Sequence, residues 1–75
     1  MKQQDQDLSL VAGAKLNRIL KERNMTQEQA ALMLGYSDAR QIRRLIKNGI
    51  TKIDEIQRIA KVFDVPFDEM ISALD

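Results

Sequence analysis

Apolar residues recur at helical spacing in five stretches of this chain with no strand signal between them, which predicts an all-α domain of five helices. The first stretch, 9–23, places Ala12, Leu16, Ile19 and Leu20 on one stripe and Lys15, Arg18 and Lys21 off it. Gly13 lies inside that helix at a cost of about 1 kcal/mol relative to alanine. The second, 27–34, turns Ala30, Ala31 and Leu34 inward and leaves Leu32 and Met33 on its outer side. The third, 38–48, carries Ile42, Leu45 and Ile46 on one stripe. The fourth runs to residue 63 with Ile53, Ile56, Ile59, Ala60 and Phe63 inward, and the fifth, 67–74, aligns Phe67, Met70, Ile71 and Leu74. Residues 1–8 read as a flexible tail and 9–75 as a single domain.

The residues between the stripes specify where each helix stops and starts. Asn24 tolerates the left-handed conformation that ends a helix. Thr26 and Gln29 form a capping-box pattern, with Met25 placed to pack on Ala30 as a small hydrophobic staple. Gly35 follows Leu34, where a left-handed stop suits glycine. Ser37 is expected to cap the third helix, Asn48-Gly49 to end it as Gly35 ends the second, and Thr51 with Asp54 to form another capping box. Asp64-Val65-Pro66 breaks the fourth helix, and Asp68 and Glu69 favour the positive end of the fifth. The link between the second and third helices is too short for them to lie antiparallel, so they should cross steeply as a helix-turn-helix.

Charge changes the picture most at the third helix. With Ile42 at 0° on a wheel, Arg40, Arg43, Arg44 and Lys47 fall between about 100° and 200°, away from the apolar stripe. Asp38, the helix's one acid, sits at its start, where it complements the dipole. Such a face can be plain solvated surface. However, it is single-signed, with no interleaved glutamate to offset self-repulsion, and a polyanionic partner accounts for it better. Residues 38–52 hold five basic and one acidic side chain, a net of +4, whereas 53–75 hold two and six, a net of −4. The overall charge of +1 therefore conceals a dipole that would orient the domain on a phosphate backbone.

Seventy-five residues, 44% of them hydrophobic, suit one domain with one modest core and exclude a disordered chain. The absence of cysteine removes disulfides and thiolate metal sites and fits a cytoplasmic protein. No apolar run approaches the ~20 residues that span a bilayer, and the polar start is unlike a signal peptide. Enzymatic chemistry has no candidates: histidine and cysteine are absent, Ser9, Ser37 and Ser72 have no base, and the carboxylates sit at helix starts without metal-ligand spacing. No cofactor is implied.

Two segments carry a family resemblance. Residues 16–35, LNRILKERNMTQEQAALMLG, resemble the opening of the Cro/phage-repressor (XRE) helix-turn-helix family, and residues 56–71, IQRIAKVFDVPFDEMI, are similar to its closing helices. The resemblance spans about residues 10–74. It implies a compact five-helix lambda-repressor-like domain that regulates transcription by binding double-stranded DNA, usually as a homodimer on a palindromic operator. It also implies roles for single positions. Gln27 matches a glutamine that contacts DNA phosphates or neighbouring contact residues. Ser37, Asp38, Ala39 and Arg40 match the base-reading start of the recognition helix, Arg44 a deeper groove position, and Asn48 and Lys52 the backbone-contacting loop that follows. The segment between Gly35 and Ile42 is one residue longer than the commonest family pattern. The basic face of Arg40, Arg43, Arg44 and Lys47 is therefore the firmer guide to the contacts. A family ion pair between the first and third helices is replaced here by Leu20 and Ile46, expected to pack together.

These features predict a small repressor of bacterial, phage or mobile-element type, with the recognition helix at 38–48 in the major groove. Leu32 and Met33, or Met70, Ile71 and Leu74, are the candidate dimer or partner contacts, the first pair alternatively being covered by the N-terminal segment. Two other readings use the same fold. One is an antitoxin-type autoregulator bound to a toxin partner. The other is a protein-interaction module that no longer binds DNA, against which the basic face argues.

Overall fold

The computed structural model describes residues 8–72, and within them the chain forms five helices and no strand. The candidate tail at 1–7 and the candidate contact Leu74 lie outside the described residues. α1 (Leu8–Glu22) begins one residue before the expected start. α2 (Gln27–Leu34) has the bounds its caps dictate. Thr26 Oγ1 accepts the Gln29 amide at 3.0 Å and Gln29 Oε1 accepts the Thr26 amide at 2.9 Å, so the capping box is complete. Gly35, at φ 78°, closes α2 in the left-handed region with its amide turned to the Ala31 and Leu32 carbonyls.

The other boundaries correct the sequence reading. α3 (Ala39–Asn48) is capped by Asp38, not Ser37: Asp38 Oδ1 accepts the Arg40 amide at 2.8 Å. Gly49 ends α3 with its amide on the Leu45 carbonyl, but its φ of 99° and ψ of 165° lie outside the left-handed helical stop. α4 (Ile53–Val62) follows Lys52, which makes no side-chain cap bond, and the Thr51–Asp54 box does not form. The cause is tertiary. The Ile50 amide donates to the Ser9 carbonyl at 2.9 Å and the Ile50 side chain is fully buried, so the segment is drawn across the start of α1 before α4 begins. Asp54 and Glu55 then occupy the first turn of α4, at the favourable end of its dipole. α5 (Phe67–Ile71) is shorter than expected.

The stripes converge on one core. Leu16, Ile42, Ile50, Ile59, Phe63 and Met70 are its largest fully buried side chains, with Ala30 and Ala31 buried on α2. Ile53 departs from expectation: it is 59% exposed, and the α4 stripe begins at Ile56. Met70 is 1% exposed and belongs to the core, so it offers no surface for a partner.

Gly13, unfavourable for α1 by propensity, is where α1 and α3 come closest. A Cβ there would stand 2.5 Å from the Leu45 carbonyl oxygen and 3.3 Å from that of Ile46. The end of α3 is thus registered against Gly13, about 10 Å along α1 from Leu20 at 1.5 Å per residue. Leu20 is buried in the core and Ile46 packs against the same core, while the backbone approach at Gly13 sets how closely α3 lies on α1.

The α1–α2 and α4–α5 corners are the same turn used twice. In the first, the amides of Arg23, Asn24 and Met25 donate to the carbonyls of Ile19, Lys21 and Leu20; in the second, those of Phe63, Asp64 and Val65 donate to Ile59, Lys61 and Ala60. Asn24 (φ 54°) and Asp64 (φ 58°) take the left-handed position, which short polar side chains tolerate. Arg23 ties the corners together: its Nη2 donates to the Phe63 carbonyl at 2.6 Å and its guanidinium lies 5.5 Å from the Phe63 ring centroid.

Candidate nucleic-acid interface

α3 is amphipathic because its apolar residues fall at 42, 45 and 46. Ile42 is buried, and Leu45 and Ile46 pack against the core from the same side. That fixes the rotation of the helix and turns Arg40, Arg43, Arg44, Lys47 and Asn48 to solvent. Ser37 and Lys52, just beyond the two ends of α3, are exposed as well, and Gln27, Asp38 and Ala39 are half-buried. All four basic side chains predicted to share one outward face of α3 are exposed in the fold.

The face is electrostatically open. Arg43, Arg44, Lys47 and Lys52 form no ion pair with any described residue. Arg40 differs. Its Nη2 donates to Asp38 Oδ2 at 2.9 Å, with Nε at 3.3 Å from the same oxygen. The guanidinium, and next the Arg40 amide, hold the Asp38 carboxyl below the usual carboxylate range, and the same hydrogen bond raises the guanidinium. Both side chains are solvent-accessible, so the pair contributes little to stability.

Two further groups shape the site. Gln41 is exposed on the first turn of α3. Its residue type, a carboxamide able to pair with adenine, was the available signal in the sequence. Tyr36, in the turn between α2 and α3, anchors that turn to α4: its hydroxyl donates to the Glu55 carboxylate and the Arg58 guanidinium lies 5.4 Å from its ring centroid. Burial first, and then the hydrogen bond and charge of Glu55, push the phenol up to about 12, with Arg58 opposing. No local pattern reveals this anchor, because the partners lie nineteen residues apart.

A four-residue turn, 35–38, between a capped α2 and an outward basic α3 has the element order of a helix-turn-helix. The helix-turn-helix family HTH_3 matches residues 16–70, from the middle of α1 to α5. The chain belongs to this family. Its members bind DNA and regulate transcription, and this chain is a regulator of that kind rather than an enzyme. The structure of a hypothetical transcription factor, NHTF, from Neisseria has the same fold: the two superpose with a TM-score of 0.78 over 97% of this chain and 85% of the other, at 17% identity. No curated protein matches the chain in sequence. No helix among the described residues is long and apolar enough to cross a membrane.

Proposed function

We propose that the chain is a small, sequence-specific repressor that lays α3 in the major groove of a palindromic operator and acts as a homodimer in the cytoplasm. The observation that carries this reading is the unpaired, single-signed outer face of α3 formed by Arg43, Arg44 and Lys47. Arg40 reads a base, since a guanidinium can bond guanine O6 and N7 together. Ser37, Asp38, Ala39 and Gln41 stand beside it at the N-terminal end of α3, the end that reaches base edges in this kind of motif. Gln27, Arg43, Arg44, Lys47, Asn48 and Lys52 serve the phosphates, giving affinity without sequence preference.

Specificity then requires two copies, because one module spans few base pairs. Ile71 faces an open groove of about 440 Å³ shared with Leu8, Ile53 and Phe67, an apolar surface available to a second copy. Leu32, 81% exposed, and Met33, 48% exposed, favour a second reading in which the outer side of α2 holds a protein partner, as in a toxin-binding autoregulator.

Selection from a random duplex library at about 150 mM salt, followed by sequencing, tests the proposal. An enriched palindrome with half-sites about 34 Å apart, one helical turn, is the expected outcome. A single enriched half-site would refute the homodimer. Failure to enrich any sequence, with no salt-dependent binding to bulk DNA, would move the function to protein interaction.

A further inference from the structure

We propose that Asp38 is a positioning residue that selects which edge of the Arg40 guanidinium reaches the groove and thereby sharpens the choice of guanine. The inference rests on α3 being the groove helix. One carboxylate performs two tasks. Oδ1 accepts the Arg40 amide at 2.8 Å and caps α3, and the two oxygens together take the side-on edge of the guanidinium, Oδ2 from Nη2 at 2.9 Å and Nε at 3.3 Å and Oδ1 from Nε at 3.4 Å.

A guanidinium has five N–H groups in a rigid fork. Side-on pairing through Nε and Nη2 occupies two of them and leaves the end-on edge, Nη1 and the other Nη2 hydrogen, free. That edge carries two parallel donors, the arrangement that meets guanine O6 and N7. The Arg40 side chain is 82% exposed, so the end-on edge is accessible while the stem is tethered. Fixing a rotamer-rich side chain before it binds saves ordering entropy up to the strength of the exposed pair that fixes it, a factor of roughly 1.4 to 5 in affinity. The carboxylate also keeps the side-on edge from a phosphate and, being negative, weakens binding to every sequence. Asp38 therefore acts in opposite directions on base preference and on general affinity, which a helix cap alone would not do.

Asp38→Asn separates the two tasks. Asparagine caps a helix as well as aspartate does, but its neutral carboxamide cannot hold a guanidinium through two acceptor oxygens. The test compares the full-length wild type with Asp38→Asn and Arg40→Ala, in competition binding against the selected duplex, its single-base variants and bulk DNA, with thermal melts in parallel. Asp38→Ser serves as a second variant that keeps a cap.

The expected result is that Arg40→Ala abolishes preference at one G·C pair. Asp38→Asn then lowers preference at that same pair roughly 1.4- to 5-fold, with bulk-DNA binding undiminished and the melting temperature nearly unchanged. The proposal is overturned if Asp38→Asn and Asp38→Ser keep the preference that Arg40→Ala loses, or if they weaken all sequences equally. Should Arg40→Ala leave every preference intact, Arg40 is not the reader and the proposal falls with it. A wild type without any preference would instead retire the assignment of the whole interface.

Discussion

Replacing Gly13 with alanine sets helix propensity against packing. By propensity alone the change strengthens α1 by about 1 kcal/mol. In the fold, the added methyl carbon would lie 2.5 Å from the Leu45 carbonyl oxygen, a backbone atom with no side-chain torsion by which to yield. Ordinary carbon–oxygen contact requires about 3.3 Å or more, so α3 must retreat from α1 by most of an ångström. The same carbonyl accepts the Gly49 amide that closes α3, so the retreat also strains that cap. Overpacking costs about 1–3 kcal/mol, and a backbone clash belongs at the upper end. After the propensity gain, a net loss of about 2 kcal/mol remains, equivalent to a fall in melting temperature of about 8–16 °C for a domain this small. Thermal and urea unfolding followed by circular dichroism would measure it. A melting temperature equal to or above the wild type would refute the reasoning, since propensity would then have decided the outcome and the α1–α3 approach would be soft.

Thr26→Ala removes the capping box and should lower stability by about 1 kcal/mol, read from the same unfolding curves. Tyr36 is the one tyrosine and there is no tryptophan, so its ionisation is directly visible in the ultraviolet. Its midpoint should lie near 12, above the ordinary 10. Because the folded state favours the neutral phenol, this contribution to stability is complete below pH 10 and is lost as pH rises from 10 towards 12. Glu55→Gln should bring the midpoint down by removing the acceptor's charge, and an unmoved midpoint would mean that burial acts alone. Lys52→Ala should weaken binding to all duplexes alike and reduce the slope of log affinity against log salt by about 0.9.

The features legible in the sequence are those fixed by near neighbours. Thr26, Gln29 and Gly35 act on amides within a few residues, so the bounds of α2 follow from the chain alone, and Asn24 marks the end of α1 for the same reason. The outward face of α3 follows from Ile42, Leu45 and Ile46, since burying one stripe exposes the opposite one. Periodicity could not choose between Ser37 and Asp38 as the cap, two adjacent residues of equal competence, and the fork to Arg40 accompanies the aspartate in the fold. Thr51 failed as a cap because Ile50 is bound to Ser9, a contact between residues about forty apart. Ile53 has the right spacing for the core, but the core ends at Ile56. Gly13 shows the limit most clearly. Its local effect is unfavourable, and its reason for being glycine is a pair of α3 carbonyls more than thirty residues downstream.

The repeated corner joined by Arg23 has a consequence for how the molecule opens. Residues 24–62, which contain α2, α3 and α4, form a loop whose two ends are buckled together by one side chain reaching across forty positions. Closing a loop of that length without a crosslink is entropically costly only as the logarithm of its length, so a single charged hydrogen bond and the ring beneath it are a meaningful fastening. Local breathing of α3 can be taken up inside the loop while the buckle stays shut. Releasing the buckle would free both corners at once, making α1–α2 and α4–α5 loosen as one event although they are far apart along the chain.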